Sequence, residues 1–151
     1  MNILFVCTGN TCRSCMAEAI FNKFADDEYF TSSSCGISVI ENSKVSENAF
    51  RTLYEKLQID IRNRQAVQLT EKHLQESSYI LVMTSGIKAV LVRKFPKISY
   101  KVFTVTEFAE INGEISDPYG MDIKAYENTF IQLSNCIENI LRKLKEGKLI
   151  N

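Results

Sequence analysis

An apolar run, a short polar loop and an amphipathic pattern follow one another at the start of the chain, as Leu4-Phe5-Val6-Cys7-Thr8-Gly9-Asn10-Thr11-Cys12-Arg13-Ser14-Cys15-Met16. Ile3 to Val6 is short and continuously apolar, as in a strand buried on both faces. Met16, Ala19, Ile20 and Phe24 recur at helical spacing and predict a helix from about Arg13 to Ala25. A loop of this length between a strand and a helix curls its backbone N–H groups inward. With the positive end of the helix dipole behind it, such a loop is an anion cradle. Arg13 offers a planar, bidentate grip on the oxygens of a bound phosphate. Cys7 lies at the bottom, where the same field favours thiolate over thiol. A thiolate facing a phosphoryl group is a nucleophile for phosphoryl transfer.

The rest of the chain supplies the fold. Tyr29 to Ser34 is a weaker strand candidate, stopped by Gly36. Val45, Ala49, Leu53 and Leu57 recur every fourth residue and mark a second helix, and Thr70 reads as the N-cap of a short helix carrying Leu74. Tyr79 to Thr84 is the strongest strand signal. A helix from about Gly86 to Lys94 then leads to a short strand at Lys101 to Val105. Asn, Gly, Asp and Pro between Ile111 and Met121 predict an irregular loop. Ile123, Tyr126, Phe130, Leu133, Ile137, Ile140 and Leu144 alternate three and four apart in a final helix, capped by Asp122. Strands alternating with helices predict a single α/β domain over residues 1–151, with parallel strands, helices on both faces and the site at the carboxyl ends of the strands.

A chain of 151 residues with 45% apolar and 24% charged content is one globular domain. Its 18 basic and 18 acidic residues cancel, so no global field draws nucleic acid or anionic lipid. No apolar run approaches membrane-spanning length, and the N-terminus lacks the pattern of a secretory signal. Five cysteines, three of them within Cys7 to Cys15, suit thiol chemistry in a reducing cytoplasm better than a disulfide framework.

Within the loop, Gly9 permits close backbone approach and Asn10 suits a left-handed position. Ser14 can donate a hydrogen bond to the Cys7 sulfur. Val6-Cys7-Thr8-Gly9-Asn10-Thr11-Cys12-Arg13-Ser14 resembles the phosphate-binding loop of the low-molecular-weight protein-tyrosine phosphatases, V-C-x-G-N-x-C-R-S. Ser34-Cys35-Gly36 matches a Ser-Ala-Gly turn, Ile80-Leu81-Val82-Met83-Thr84 the central strand, and Asp117-Pro118-Tyr119-Gly120 the distal catalytic loop of that family. The resemblance implies a central four-stranded parallel sheet and catalysis by Cys7, Arg13 and Asp117. Thr8, Gly9, Asn10, Thr11, Cys12 and Ser14 would hold the phosphate. It implies hydrolysis of phosphorylated protein side chains through a cysteinyl-phosphate, with no metal or cofactor. Inorganic phosphate and other oxyanions are the expected occupants of the loop, and a monomer is the expected form. Tyr119 either packs against the substrate side chain at the entrance or is a plain surface aromatic.

Three positions depart from the pattern. Thr11 stands where phosphotyrosine-specific members carry a larger aliphatic residue and where the branch resembling bacterial protein-arginine phosphatases carries threonine; it tilts the substrate toward phosphoarginine. Cys15 replaces the usual proline of the first helical turn. The resemblance implies a protective disulfide between Cys7 and Cys12, with Cys15 either a competitor in redox or a simple substitution. Asn63-Arg64-Gln65-Ala66-Val67-Gln68-Leu69 aligns with a segment where many relatives have histidine and arginine, the histidine bracing the loop asparagine. The only histidine, His73, is displaced from it and is expected on a solvated helix face, so the brace of Asn10 is open.

Other classes fit parts of the thiol cluster. Cys7, Cys12 and Cys15 have the spacing of a plant-type [2Fe–2S] loop, with Cys35 or Cys136 as fourth ligand. Cys12 and Cys15 form a thioredoxin-like C-x-x-C. Neither explains Asn10, Arg13 or the Asp117 loop. An arsenate reductase on the same fold would need two further cysteines after the central strand, and none lies between Cys35 and Cys136.

Overall fold

The computed structural model describes residues 1–147, and 148–151 of the expected domain lie outside the described residues. Four strands, β1 (Asn2–Cys7), β2 (Thr31–Gly36), β3 (Tyr79–Val82) and β4 (Val102–Thr104), form one sheet in the order β2-β1-β3-β4. Every pairing is parallel. β1 is central, and Ile3, Leu4, Phe5 and Val6 are fully buried, which is why its sequence is apolar without alternation.

The connections carry α1 (Arg13–Phe24), α2 (Glu47–Leu57), α3 (Glu71–Glu76), α4 (Ser85–Lys94), α5 (Val105–Ala109) and α6 (Ile123–Lys145). The chain moves from β1 outward to β2, then back across β1 to β3. With right-handed crossovers, that reversal puts α1 on one face and α3 and α4 on the other. α6 packs against α1, α2 and α5. Tyr126, Leu133, Ile137, Ile140 and Leu144 of α6 are buried, the stripe that its spacing predicts.

The two outer strands and the helix after β4 differ from the sequence expectation. β2 runs to Gly36, because pairing with β1 continues to the end of both strands, Cys7 opposite Gly36. β4 stops at Thr104, whose side chain caps α5 in a box with Glu107, so Val105 opens a helix. Pro96–Lys101 forms a 3₁₀ turn ahead of β4. The β1–β2 and β3–β4 connections leave the central β1–β3 pair in opposite directions, so the carboxyl end of β1 is a topological switch point. Cys7 is there.

Candidate active site

The loop between Cys7 and Arg13 wraps the Cys7 sulfur. Asn10 adopts φ +56°, the left-handed geometry expected of it, and this turns its backbone N–H onto Cys7 Sγ at 3.2 Å. The Ser14 hydroxyl lies 2.8 Å from the same sulfur. Cys12 stands at the N-cap of α1 without a side-chain cap, leaving the first helical N–H groups to the cradle.

The loop is held from outside by the segment after β2. Ile37 and Ser38 donate backbone N–H bonds to the carbonyls of Cys7 and Thr8 at 3.0 and 2.9 Å, and the Ser46 N–H reaches the Thr11 carbonyl at 2.9 Å. Gly36 lies so close beneath the loop that a Cβ there would meet Thr8 O at 2.6 Å and Asn10 N at 3.0 Å. This close approach requires glycine.

The brace of Asn10 is Arg64. Asn10 Oδ1 accepts from Arg64 Nη1 and from the Val67 N–H, both at 2.9 Å, while its Nδ2 donates to Ser14 Oγ at 2.6 Å and Ser34 Oγ at 3.0 Å. Arg64 also pairs with Glu18 of α1 at 3.2 Å. Burial pushes the Glu18 carboxyl up against the opposing pull of that guanidinium. Neither Arg64 nor Glu18 was assigned a place in the site from sequence. One local signal was available for Glu18, which falls four residues after Ser14 on the same helix face. His73 is half-buried and its Nδ1 completes a capping box with Thr70.

Arg13 joins the two halves of the site. Its side chain is buried, Nη1 donates to the Ile115 carbonyl at 3.1 Å, and Nη2 lies 3.5 Å from Asp117 Oδ2. Asp117 accepts the Tyr119 N–H at 3.1 Å in an Asx turn. The residue before it is clamped to α6: Ser116 N–H to Gln132 Oε1 at 2.9 Å, and Thr129 Oγ1 to the Ser116 carbonyl at 3.2 Å. The Ile115 N–H reaches Met83 O just beyond β3 at 3.3 Å. The distal loop is thus fixed at the same sheet end as Cys7.

A cleft of about 490 Å³ results, lined by Cys7 to Arg13, by Asp117 and Tyr119, and by Ser38, Ile40, Ser43, Lys44 and Ser46, which the sequence did not single out. Tyr119 and Ile40 are 71% and 75% exposed at its mouth. Ser14 is fully buried behind the sulfur and outside the lining. Of the other thiols, Cys12 lines the cleft and contacts Tyr126 Oη at 3.2 Å. Cys15 is fully buried away from the cleft, its thiol donating to the Cys12 carbonyl at 3.1 Å, and burial pushes it up. Among the described residues no three His, Cys, Asp or Glu side chains gather in a way that could hold a metal ion.

The family model described as low molecular weight phosphotyrosine protein phosphatase matches residues 2–149. The protein-arginine-phosphatase of Bacillus subtilis is 34% identical over 98% of this chain and 99% of its own length. A low molecular weight protein tyrosine phosphatase from T. tengcongensis superposes with a TM-score of 0.90 at 37% identity, covering 95% of this chain and 99% of that one. A structure of an arginine phosphatase C7S mutant with a phosphorylated active-site serine matches with a TM-score of 0.90 at 34% identity, over 97% of each chain. By sequence, fold and the arrangement around Cys7, the chain belongs to the low molecular weight phosphotyrosine protein phosphatase family.

Proposed function

We propose that the chain hydrolyses phosphorylated protein side chains with Cys7 as nucleophile, Arg13 as phosphate clamp and Asp117 as acid and base. The observation that carries this reading is one cleft lined by Cys7, whose sulfur is met by Ser14 Oγ and the Asn10 N–H, together with the paired side chains of Arg13 and Asp117. The Cys7 thiolate attacks phosphorus, forming an S–P bond as the bond to the leaving group breaks. A proton from Asp117 goes to the departing atom. Loop N–H groups and Arg13 hold the equatorial oxygens of the transition state. Asp117 then takes a proton from water, whose oxygen attacks phosphorus; the S–P bond breaks, inorganic phosphate leaves and the thiolate returns. The phosphorylated active-site serine of the arginine phosphatase mutant supports a phosphoryl group carried by the nucleophile.

Thr11, Ile40 and Tyr119 line the cleft, so the wall combines the Thr11 hydroxyl with an aliphatic chain and a phenol ring. We read the substrate as phosphoarginine ahead of phosphotyrosine: a hydroxyl at Thr11 removes apolar contact from a phenyl ring. The likeness to the Bacillus protein-arginine-phosphatase supports the same choice. The reading further takes the chain as a monomer in the cytoplasm, acting on proteins without cofactor or metal, and its five free thiols suit that compartment. Phosphate release from para-nitrophenyl phosphate tests the chemistry. Cys7→Ser is expected to abolish turnover while the loop still binds vanadate or phosphate, and turnover surviving in Cys7→Ser would overturn the assignment.

A further inference from the structure

Arg64 lies outside the cleft lining, yet all five of its guanidinium N–H donors are engaged. Nε reaches Glu18, Nη1 reaches Asn10 Oδ1 and the Gln65 carbonyl, and Nη2 reaches the Ser34 carbonyl and hydroxyl at 3.4 and 2.7 Å. The Asn10 amide orientation follows, because its Oδ1 faces two groups that can only donate, Arg64 Nη1 and the Val67 N–H. Asn10 Nδ2 must then donate to Ser14 Oγ. Ser14, having accepted there, turns its single hydrogen onto Cys7 Sγ. The chain of bonds has one direction, from a permanent cation to the sulfur.

The geometry points to Arg64 as a positioning residue for the Cys7 nucleophile: its charged fork orients Asn10 and, through Asn10, the hydrogen that Ser14 presents to the sulfur. This inference rests on the reading of Cys7 given above. The guanidinium's positive charge also reaches Glu18 on α1 and the buried thiols of Cys15 and Cys35, favouring the ionised form of each against burial. Of these, Glu18 pairs with the Nε edge and leaves the two Nη groups to the loop. Hydrogen bonds to the anionic form are what hold a thiolate in a low-dielectric site.

The test is the rate at which iodoacetamide alkylates Cys7 in the folded protein at about pH 6, read from the mass of the Cys7 peptide. Arg64→Gln is expected to slow it about tenfold, as one charge-assisted interaction is lost. Ser14→Ala is expected to slow it as well. The double variant should be slower than Ser14→Ala by about twofold or less, because the link is already cut. A merely structural role would lower the melting temperature and leave this pH-dependent rate in place. A wild-type rate in Arg64→Gln, or losses that multiply in the double variant, would overturn the proposal. If Arg64→Gln does not fold, Arg64→Lys keeps the charge without the fork and should still fall below wild type; an unchanged rate there has the same negative meaning. A wild-type protein that neither alkylates rapidly at Cys7 nor hydrolyses para-nitrophenyl phosphate would instead strike the phosphatase reading itself.

Discussion

In the resting cleft the carboxylate of Asp117 lies 3.5 Å from the guanidinium of Arg13, so the proposed acid and the proposed phosphate clamp are partnered with each other. A phosphoryl group entering the loop offers Arg13 a bidentate partner in place of this single contact. The pair is lopsided: Arg13 is buried and fixed by Ile115 O, while the Asp117 side chain is 57% exposed. Asp117 is the member free to move onto the leaving group.

Asp117→Asn is therefore expected to separate substrates by leaving group. Hydrolysis of a phosphoester with a poor, alkyl-like leaving group should fall by about 100-fold or more, and that of para-nitrophenyl phosphate by much less. Steady-state kcat for the two substrates checks this. Equal losses would remove Asp117 as the acid.

Thr11→Ile places a methyl-rich side chain on the cleft wall beside Ile40 and Tyr119. The ratio of kcat/KM for phosphoarginine over phosphotyrosine peptides should fall about tenfold, the scale of a small change in apolar contact. An unchanged ratio would show that Thr11 does not choose the substrate.

Gly36→Ala tests the packing under the loop. The added Cβ would press Thr8 O at 2.6 Å, a backbone atom that cannot swing aside, and Val39 Cγ2 at 2.8 Å. A stability loss of about 1–3 kcal/mol is expected in denaturant titration, together with weaker phosphate binding. Wild-type values for both would mean that the loop tolerates displacement.

The buried thiols give a pH test. Burial pushes Cys35 from its ordinary 9.0 up to about 12, and burial moves Cys15 in the same direction. The unfolded chain therefore loses these protons before the folded one does, and stability falls as pH rises from about 9 toward 12. Cys35→Ala should flatten that fall in melting temperature, and a wild-type slope would contradict the burial argument. In the folded protein at neutral pH, Cys7 should alkylate well before Cys15 or Cys35.

Local sequence determined a large part of this protein. Ile3 to Val6 read as a buried strand, the Ile123 to Leu144 stripe as a packed helix, and Cys7 to Ser14 as an anion loop because strand end, glycine, arginine and helix start follow one another within a few residues. Asp117 was legible through its proline and through the family resemblance. Tertiary structure decided what local pattern does not encode. The end of β2 was set by pairing with β1, and the start of α5 by a capping box that interrupts a β-like run. Above all, the brace of Asn10 comes from Arg64, 54 positions away, and from Glu18 and Ser34 on two other elements. A charged residue in a polar segment reads as solvated until the fold lays that segment against the phosphate loop. Only then do its five donors acquire partners, and only then does an arginine far from Cys7 in sequence bear on its sulfur.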